Sequence, residues 1–474
     1  MTVISCFVPQ SAKRSRYSTE PPRTVERSAE MKRMRILEIN CDHQYTTYIM
    51  SSKVKNLVAR TLRRFNEFTG SDNVTLVRYG FWGSAPFIFG SLVSLGLTIA
   101  YANLLSQDTY GTFKFIIALA SSFGFLTLTG MNSAVIRAVA RGEHGILRYS
   151  TWLQVKWNVV YTAAAMCIAA YYAAHHNTTI AIGIFILGLS FPLTTALNTF
   201  GAYLNGVRRF RTAAIINILS NVAYGACIMI GVVWFRTPVM LVLAYALGSL
   251  VPVVVAYFTV VRADVGMPTE TGKREVTHFG KHYTAMNVLA VISRQIDRLS
   301  VFHVQGSIAL ALFAIAQAIP ERLKGLMNSA LPSILSNLSR RSHEMIRASF
   351  YRRIAQGMAI GFVVLACYWL AAPLLFRYIL PKYLPSLIYS QWYSISIVFS
   401  LPILYIANVF QSQGMLRELY TQTVFGNLSR IIMLPLLMYF FGIWGLIYGT
   451  IAIIGASMLL GILLMEWHTR RTMT

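Results

Sequence analysis

The sequence predicts an all-α integral membrane protein, with about 12 transmembrane helices in two six-helix bundles related by a parallel pseudo-repeat. Three observations predict it. From about Val77 onward, apolar stretches follow one another, each of the roughly 20 residues needed to cross the ~30 Å hydrocarbon core as a helix. Hydrophobic residues make up 55% of the 474-residue chain and charged residues 12%, whereas a soluble domain carries about 25% charged residues. Mean hydropathy is +0.53. Lys and Arg, finally, fall almost entirely in alternate loops. The functions this leaves are transport, channel activity, or chemistry on membrane-embedded substrates.

The formal net charge of +25 would suggest nucleic acid in a soluble protein. Here it reads as Lys and Arg retained in cytoplasmic loops, and no nucleic-acid partner is expected. Cys6, Cys41, Cys167, Cys227 and Cys367 show no metal-ligand spacing. Three of them lie in apolar spans, where a lone Cys is a small hydrophobe. Neither a disulfide nor a metal site nor a cofactor is expected.

Residues 1–50 mix Arg, Lys, Ser, Glu and Pro without apolar periodicity and read as a disordered basic tail. No apolar segment near the start reads as a signal peptide. Translation is expected to begin near Met50. Residues 51–76 form a cytoplasmic amphipathic segment. Val54, Leu57, Val58, Leu62, Phe65 and Phe68 recur at helical spacing among Lys53, Lys55, Arg60, Arg63 and Arg64, which suits an anionic membrane surface.

The spans are expected at 79–104, 113–136, 151–173, 179–202, 213–235, 238–261, 280–304, 307–337, 355–379, 387–412, 417–440 and 443–466. With the N-terminus in the cytoplasm, the inner loops hold Arg137, Arg141 and Arg148, then Arg208, Arg209 and Arg211, and later Arg340, Arg341, Arg347, Arg352 and Arg353. The outer loops and their edges hold few basic residues: Lys114, Arg236, Arg377 and Lys382. The bias places both termini in the cytoplasm and favours an even number of spans in the cytoplasmic (inner) membrane. Outer loops such as 105–111, 173–178 and 303–307 are short, which weighs against a membrane polymerase or glycosyltransferase.

Residues 263–278, with Gly266, Pro268 and Gly272, read as a cytoplasmic linker between an N-terminal bundle (77–262) and a C-terminal bundle (279–466), with 467–474 as a cytoplasmic tail. The halves echo one another. Tyr203-Leu204-Asn205-Gly206 precedes the fifth span and Gln411-Ser412-Gln413-Gly414 the eleventh; Ser220-Asn221 and Asn427-Leu428-Ser429 sit within them. Two halves of like orientation form a parallel repeat, a plan on which transporters rock about a central cavity.

Ionisable groups at membrane depth are costly and usually face a cavity. Arg294, Asp297 and Arg298 in the seventh span are spaced i, i+3, i+4, which puts them on one helical face. A self-neutralising pair would not need the second arginine. In the eighth span Pro320 is followed by Glu321, Arg322 and Lys324, with Pro332 beyond. That reads as a broken helix with charges at its break, or as a kink with snorkelling side chains. Lys156 and Arg430 are further cavity candidates, and snorkelling is an equal reading for Lys156. The summed charge is positive and suits an anionic passenger such as a phosphate or diphosphate. Gly266 to Lys273 fails the phosphate-loop pattern, and no zinc, nucleophile-elbow or dinucleotide signature is present.

Gly80-Phe81-Trp82-Gly83, Leu104 through Gly111 (with Asp108 before Tyr110-Gly111), Phe115 through Ala120, and Gly130-Met131-Asn132 together resemble the polysaccharide (O-antigen type) flippases of the multidrug/oligosaccharidyl-lipid/polysaccharide exporter superfamily. Asp297-Arg298 is similar to that family too. The resemblance runs over roughly residues 50–466; the long basic tail departs from it. It implies a non-enzymatic flippase that alternates a central cavity between the two faces, with an undecaprenyl-diphosphate-linked oligosaccharide as passenger. Arg294, Arg298, Arg322, Lys324, Arg430 and Lys156 would then hold the diphosphate or acidic sugars. Asp297 and Glu321 would couple to protons or sodium, and a glycan polymerase or export machinery would be a partner. A multidrug/cation antiporter of the same superfamily would need acidic residues in the first two spans, where the spans themselves hold none. A glycan-assembly membrane protein without transport activity is the remaining alternative, and a scaffold would tolerate loss of the arginines.

Overall fold

The structure is a computed structural model that describes residues 73–143, 145–262, 264, 266–328 and 343–471. The basic tail, nearly all of the amphipathic segment, Pro332, Arg340 and Arg341 lie outside the described residues. The chain divides into two compact units, Met1–Thr75 and Leu76–Thr474; the architecture described is that of the second.

Every regular element among the described residues is helical. The first half comprises α1 (Asn73–Leu104), α2 (Gln107–Ser122), α3 (Met131–Ala140), α4 (Ile146–Trp157), α5 (Val159–Ala174), α6 (Thr178–Leu197), α7 (Thr199–Gly206), α8 (Phe210–Ile230) and α9 (Pro238–Val261). The second comprises α10 (Glu270–Ser293), α11 (Ile296–Asn328), α12 (His343–Tyr378), α13 (Ser386–Ser394), α14 (Ser396–Ser412) and α15 (Leu416–Arg471).

Nine segments among the described residues are long and apolar enough to cross a membrane. Two of them are hairpins. α11 turns at Gly306 (φ 82°, ψ −171°) and α15 at Gly442 (φ 61°, ψ −149°), backbone conformations that are essentially confined to glycine. The reversal is visible in contacts. Gln422 donates to the Ser457 carbonyl at 3.1 Å across 35 residues, which a straight helix would hold ~50 Å apart. Gln317 likewise reaches Asp297 at 3.2 Å across 20 residues. With each hairpin crossing twice, and α4–α5 adding one crossing, the expected twelve are present. Six lie in each half, an all-α membrane fold of two bundles.

Several element boundaries differ from the sequence reading. The outer loop expected over 105–111 shrinks to two residues, because the Ser106 hydroxyl caps α2 by accepting the Thr109 N–H at 3.1 Å. The third crossing kinks at Asn158, whose amide donates to the Pro192 carbonyl at 2.8 Å. α10 begins inside the stretch read as linker, because Thr269 caps it through the Gly272 N–H at 3.0 Å. The break expected at Pro320 is absent; the helix runs on to Asn328. Pro320 leaves the Ala316 carbonyl without its helical donor, and the Ser390 hydroxyl replaces it at 2.7 Å.

Three apolar cores organise the packing. One spans both bundles at the end the charge rule places outside: Tyr110, Phe113 and Leu241 with Phe313, Phe376 and Leu446. At the inner end there are two distinct cores, the first of which also takes in Val276 of α10. Leu128, Met131 and Phe200 anchor the N-bundle core, and Phe350, Ile406 and Phe410 the C-bundle core. The bundles are thus joined at their outer ends. Along the inner end contact is made through α10: the Gly130 N–H donates to Thr284 at 3.0 Å, Arg141 pairs with Glu275 at 2.5 Å, and Arg137 lies 4.1 Å over the Phe279 ring.

Candidate functional site: charges between and within the bundles

The predicted charges divide into two groups, and two of them belong to neither. The first group lies between the bundles. Arg322, half-buried on α11, donates to the Ser94 hydroxyl on α1. Arg298, also half-buried, donates to Gln295 at 3.0 Å. Both guanidinium charges act on Lys114, two turns into α2. Lys114 itself sits 5.3 Å from the Tyr110 ring and 5.7 Å from Tyr101, and these two rings stack at 5.3 Å. Tyr224 and Tyr245 meet edge-on at 5.8 Å beside them, with Tyr224 in the field of Arg322. Among the described residues no carboxylate makes an ion pair with Lys114, Arg298 or Arg322. Such a trio can satisfy an anion with several oxygens.

The second group lies on the C-bundle helices, with Lys324 buried and Glu321 exposed. Glu321 accepts from Lys324 at 2.7 Å and from the Tyr393 hydroxyl at 2.6 Å. Lys324 is buried and lies 4.5 Å from the Tyr393 ring. Arg430 adds its charge to Glu321 and Lys324. Asp297 is buried and accepts from Gln317 at 3.2 Å and from the Arg298 backbone N–H at 2.8 Å.

The single-face cluster expected of Arg294, Asp297 and Arg298 does not form, because the helix breaks at Arg294–Gln295. Arg294 ends α10 and donates from Nε to the Ala290 carbonyl at 3.0 Å, exposed. Asp297 makes no ion pair with either arginine among the described residues. Lys156 also stands apart, exposed and 3.6 Å over the Trp152 ring, the packing of a snorkelling side chain.

Above the first group the outer end is sealed. Phe115 and Phe302 stack at 3.6 Å. The Ser307 hydroxyl donates to Asp108. Asn103 donates to the Ile379 carbonyl at 2.9 Å, Lys382 to the Asn103 carbonyl at 2.6 Å, and Gln107 to the Lys382 carbonyl at 3.0 Å. Gly111 packs against the Ser307 backbone so closely that any Cβ would collide with the carbonyl.

The family model described as polysaccharide biosynthesis protein matches residues 101–383, well over half of the chain and the whole sealed region. The chain belongs to the polysaccharide biosynthesis protein family. This family member shares its fold with structures of the MOP superfamily. An outward-facing multidrug resistance MATE family transporter matches with a TM-score of 0.59 at 16% identity, over 84% of this chain and 98% of that one. The lipid II flippase MurJ in an inward closed conformation matches with a TM-score of 0.60 at 13% identity, over 82% and 87%. The eukaryotic MATE transporter AtDTX14 matches with a TM-score of 0.54 at 15% identity, over 84% and 96%. No curated protein matches. The chain is therefore a multi-pass membrane protein of transporter fold.

Sequence reasoning missed Lys114, which sits near the outer edge of an apolar run where snorkelling is the default reading. It also missed Tyr101, Tyr110, Tyr224 and Tyr393, since tyrosines in apolar spans resemble ordinary core. The available signal was the spacing of Lys114 behind Tyr110 on one helix.

Proposed function

We propose that this protein moves an undecaprenyl-diphosphate-linked oligosaccharide across the cytoplasmic membrane by alternating access, with both termini in the cytoplasm. The passenger's diphosphate binds Lys114 from the N-bundle and Arg298 and Arg322 from the C-bundle. One observation carries this reading: three cations act on one another between the bundles, and none makes an ion pair with a carboxylate among the described residues. At membrane depth such a trio is costly, and an anion with several oxygens relieves it. Tyr224 and Tyr245, half-buried beside it, offer flat apolar faces and hydroxyls to a sugar. The single core that unites the bundles at the outer end, against two distinct cores at the inner end, supports loading from the cytoplasmic side.

The test is transbilayer movement of a fluorescent undecaprenyl-diphosphate oligosaccharide in proteoliposomes. Each of Lys114→Ala, Arg298→Ala and Arg322→Ala is expected to weaken binding about tenfold or more, since a hydrogen bond to a charged group contributes ~1.5–3 kcal/mol. Movement by folded wild type that survives loss of all three cations overturns the assignment of the site. Expulsion of cationic dyes with no lipid movement would instead support the multidrug/cation antiporter.

A further inference from the structure

The C-bundle network raises a separate question: what balances its two carboxylates. A carboxylate at membrane depth needs a counter-charge, and a metal cation, a proton or a side-chain ammonium can supply it. Glu321 already holds Lys324 at 2.7 Å, with the Tyr393 hydroxyl at 2.6 Å on the same oxygen. Lys324 is only 9% exposed and its charge also acts on Asp297. Asp297, 4% exposed, spends its oxygens on Gln317 and a backbone N–H. Arg430 supplies a second positive charge. Glu321 is thus paired directly with a base on its own helix, while Asp297 is held by neutral donors.

The placement of the ammonium matters as much as its charge. Glu321 and Lys324 are three residues apart on one unbroken helix, so the pair moves as a unit in any rocking of the bundles. A dissociable ion would have to load at one face and leave at the other. This counter-charge can do neither.

We infer that Lys324 is a tethered counter-ion: its ammonium holds the position on Glu321 that a sodium ion would otherwise occupy, so the C-bundle takes up no metal cation. Removing the ammonium should open a sodium site at Glu321 and the Tyr393 hydroxyl, the two groups it now bonds or lies beside. The binding claim stands apart from the flippase reading; only its consequence, glycan movement that is indifferent to a sodium gradient, rests on it.

The experiment measures equilibrium binding of radioactive sodium to the purified full chain, with thermal unfolding in sodium chloride against choline chloride at constant ionic strength. Wild type is expected to show no saturable sodium binding and the same Tm in both salts. Lys324→Gln is expected to gain saturable binding, with at least a tenfold rise in sodium affinity and a Tm that climbs with sodium. Lys324→Arg should behave as wild type. Saturable binding to wild type that Glu321→Gln abolishes overturns the inference, as does a folded Lys324→Gln that binds no sodium. If Lys324→Gln does not fold in either salt, wild type decides alone: saturable binding overturns the inference and its absence upholds it. A wild type that binds no sodium and moves no lipid-linked glycan leaves the inference standing and removes the flippase reading.

Discussion

At the scale of single residues, environment sets what a charge does. Lys114 and Lys156 are both lysines in apolar helices, yet one packs on Tyr101 and Tyr110 between the bundles and the other lies exposed over Trp152. Lys114→Gln is expected to slow glycan movement about tenfold or more, whereas Lys156→Gln should change it at most about two- to fivefold, the equivalent of an exposed cation–π contact worth ~0.5–1 kcal/mol. Equal losses would remove the distinction. Gly111 shows the same dependence on place. A Cβ there meets the Ser307 carbonyl, so Gly111→Ala must push α2 away from α11. Overpacking of this kind costs about 1–3 kcal/mol. The expected signature is faster labelling of a cysteine placed at Asn103 by an impermeant thiol reagent, read on protein with its native cysteines replaced.

At the scale of elements, backbone conformation decides where helices reverse. Gly306 and Gly442 both adopt positive φ with extended ψ, a conformation that costs another residue of order 1–3 kcal/mol. A Cβ at Gly306 meets open space, while one at Gly442 lies 2.6 Å from the Gln305 amide nitrogen. Both alanine variants should lower Tm, Gly442→Ala by more, and Gln305→Ala should recover only the excess at Gly442. Equal shifts in a double-mutant cycle would refute the steric part. The capping of α4 is a second case. Buried Asp264 accepts the N–H groups of Gly145 and Leu147 at 2.9 and 3.0 Å. Asp264→Ala should therefore cost about 1–2 kcal/mol, measured by thermal unfolding.

At the scale of the whole molecule, one core unites the two bundles at the outer end, whereas the inner end has two distinct cores, the first joined by Val276 of α10. Alternating access requires that shared core to part. A Cβ at Gly111 would lie 3.0 Å from the Ser307 Cα, so a cysteine pair at positions 111 and 307 is within the backbone reach of a disulfide. With the native cysteines replaced, oxidation should stop glycan movement and reductant restore it. Undiminished movement by the cross-linked protein would mean that the seal does not open during transport.

The sequence by itself determined the membrane class, the all-α fold and the number of crossings. These are local properties: apolar run length, loop charge, and the cost of an ion in a hydrocarbon-length helix. Tertiary structure alone decided the partners. The break at Arg294–Gln295 turns Asp297 toward Gln317 and away from the arginines, and no spacing rule anticipates that. Ser390 repairs the helix at Pro320 from another crossing, so the proline does not break it. Lys114 joins the arginines only because α2 packs against α11. A charge's partner depends on which helices meet, and that is set by packing over hundreds of residues, beyond the reach of any local pattern.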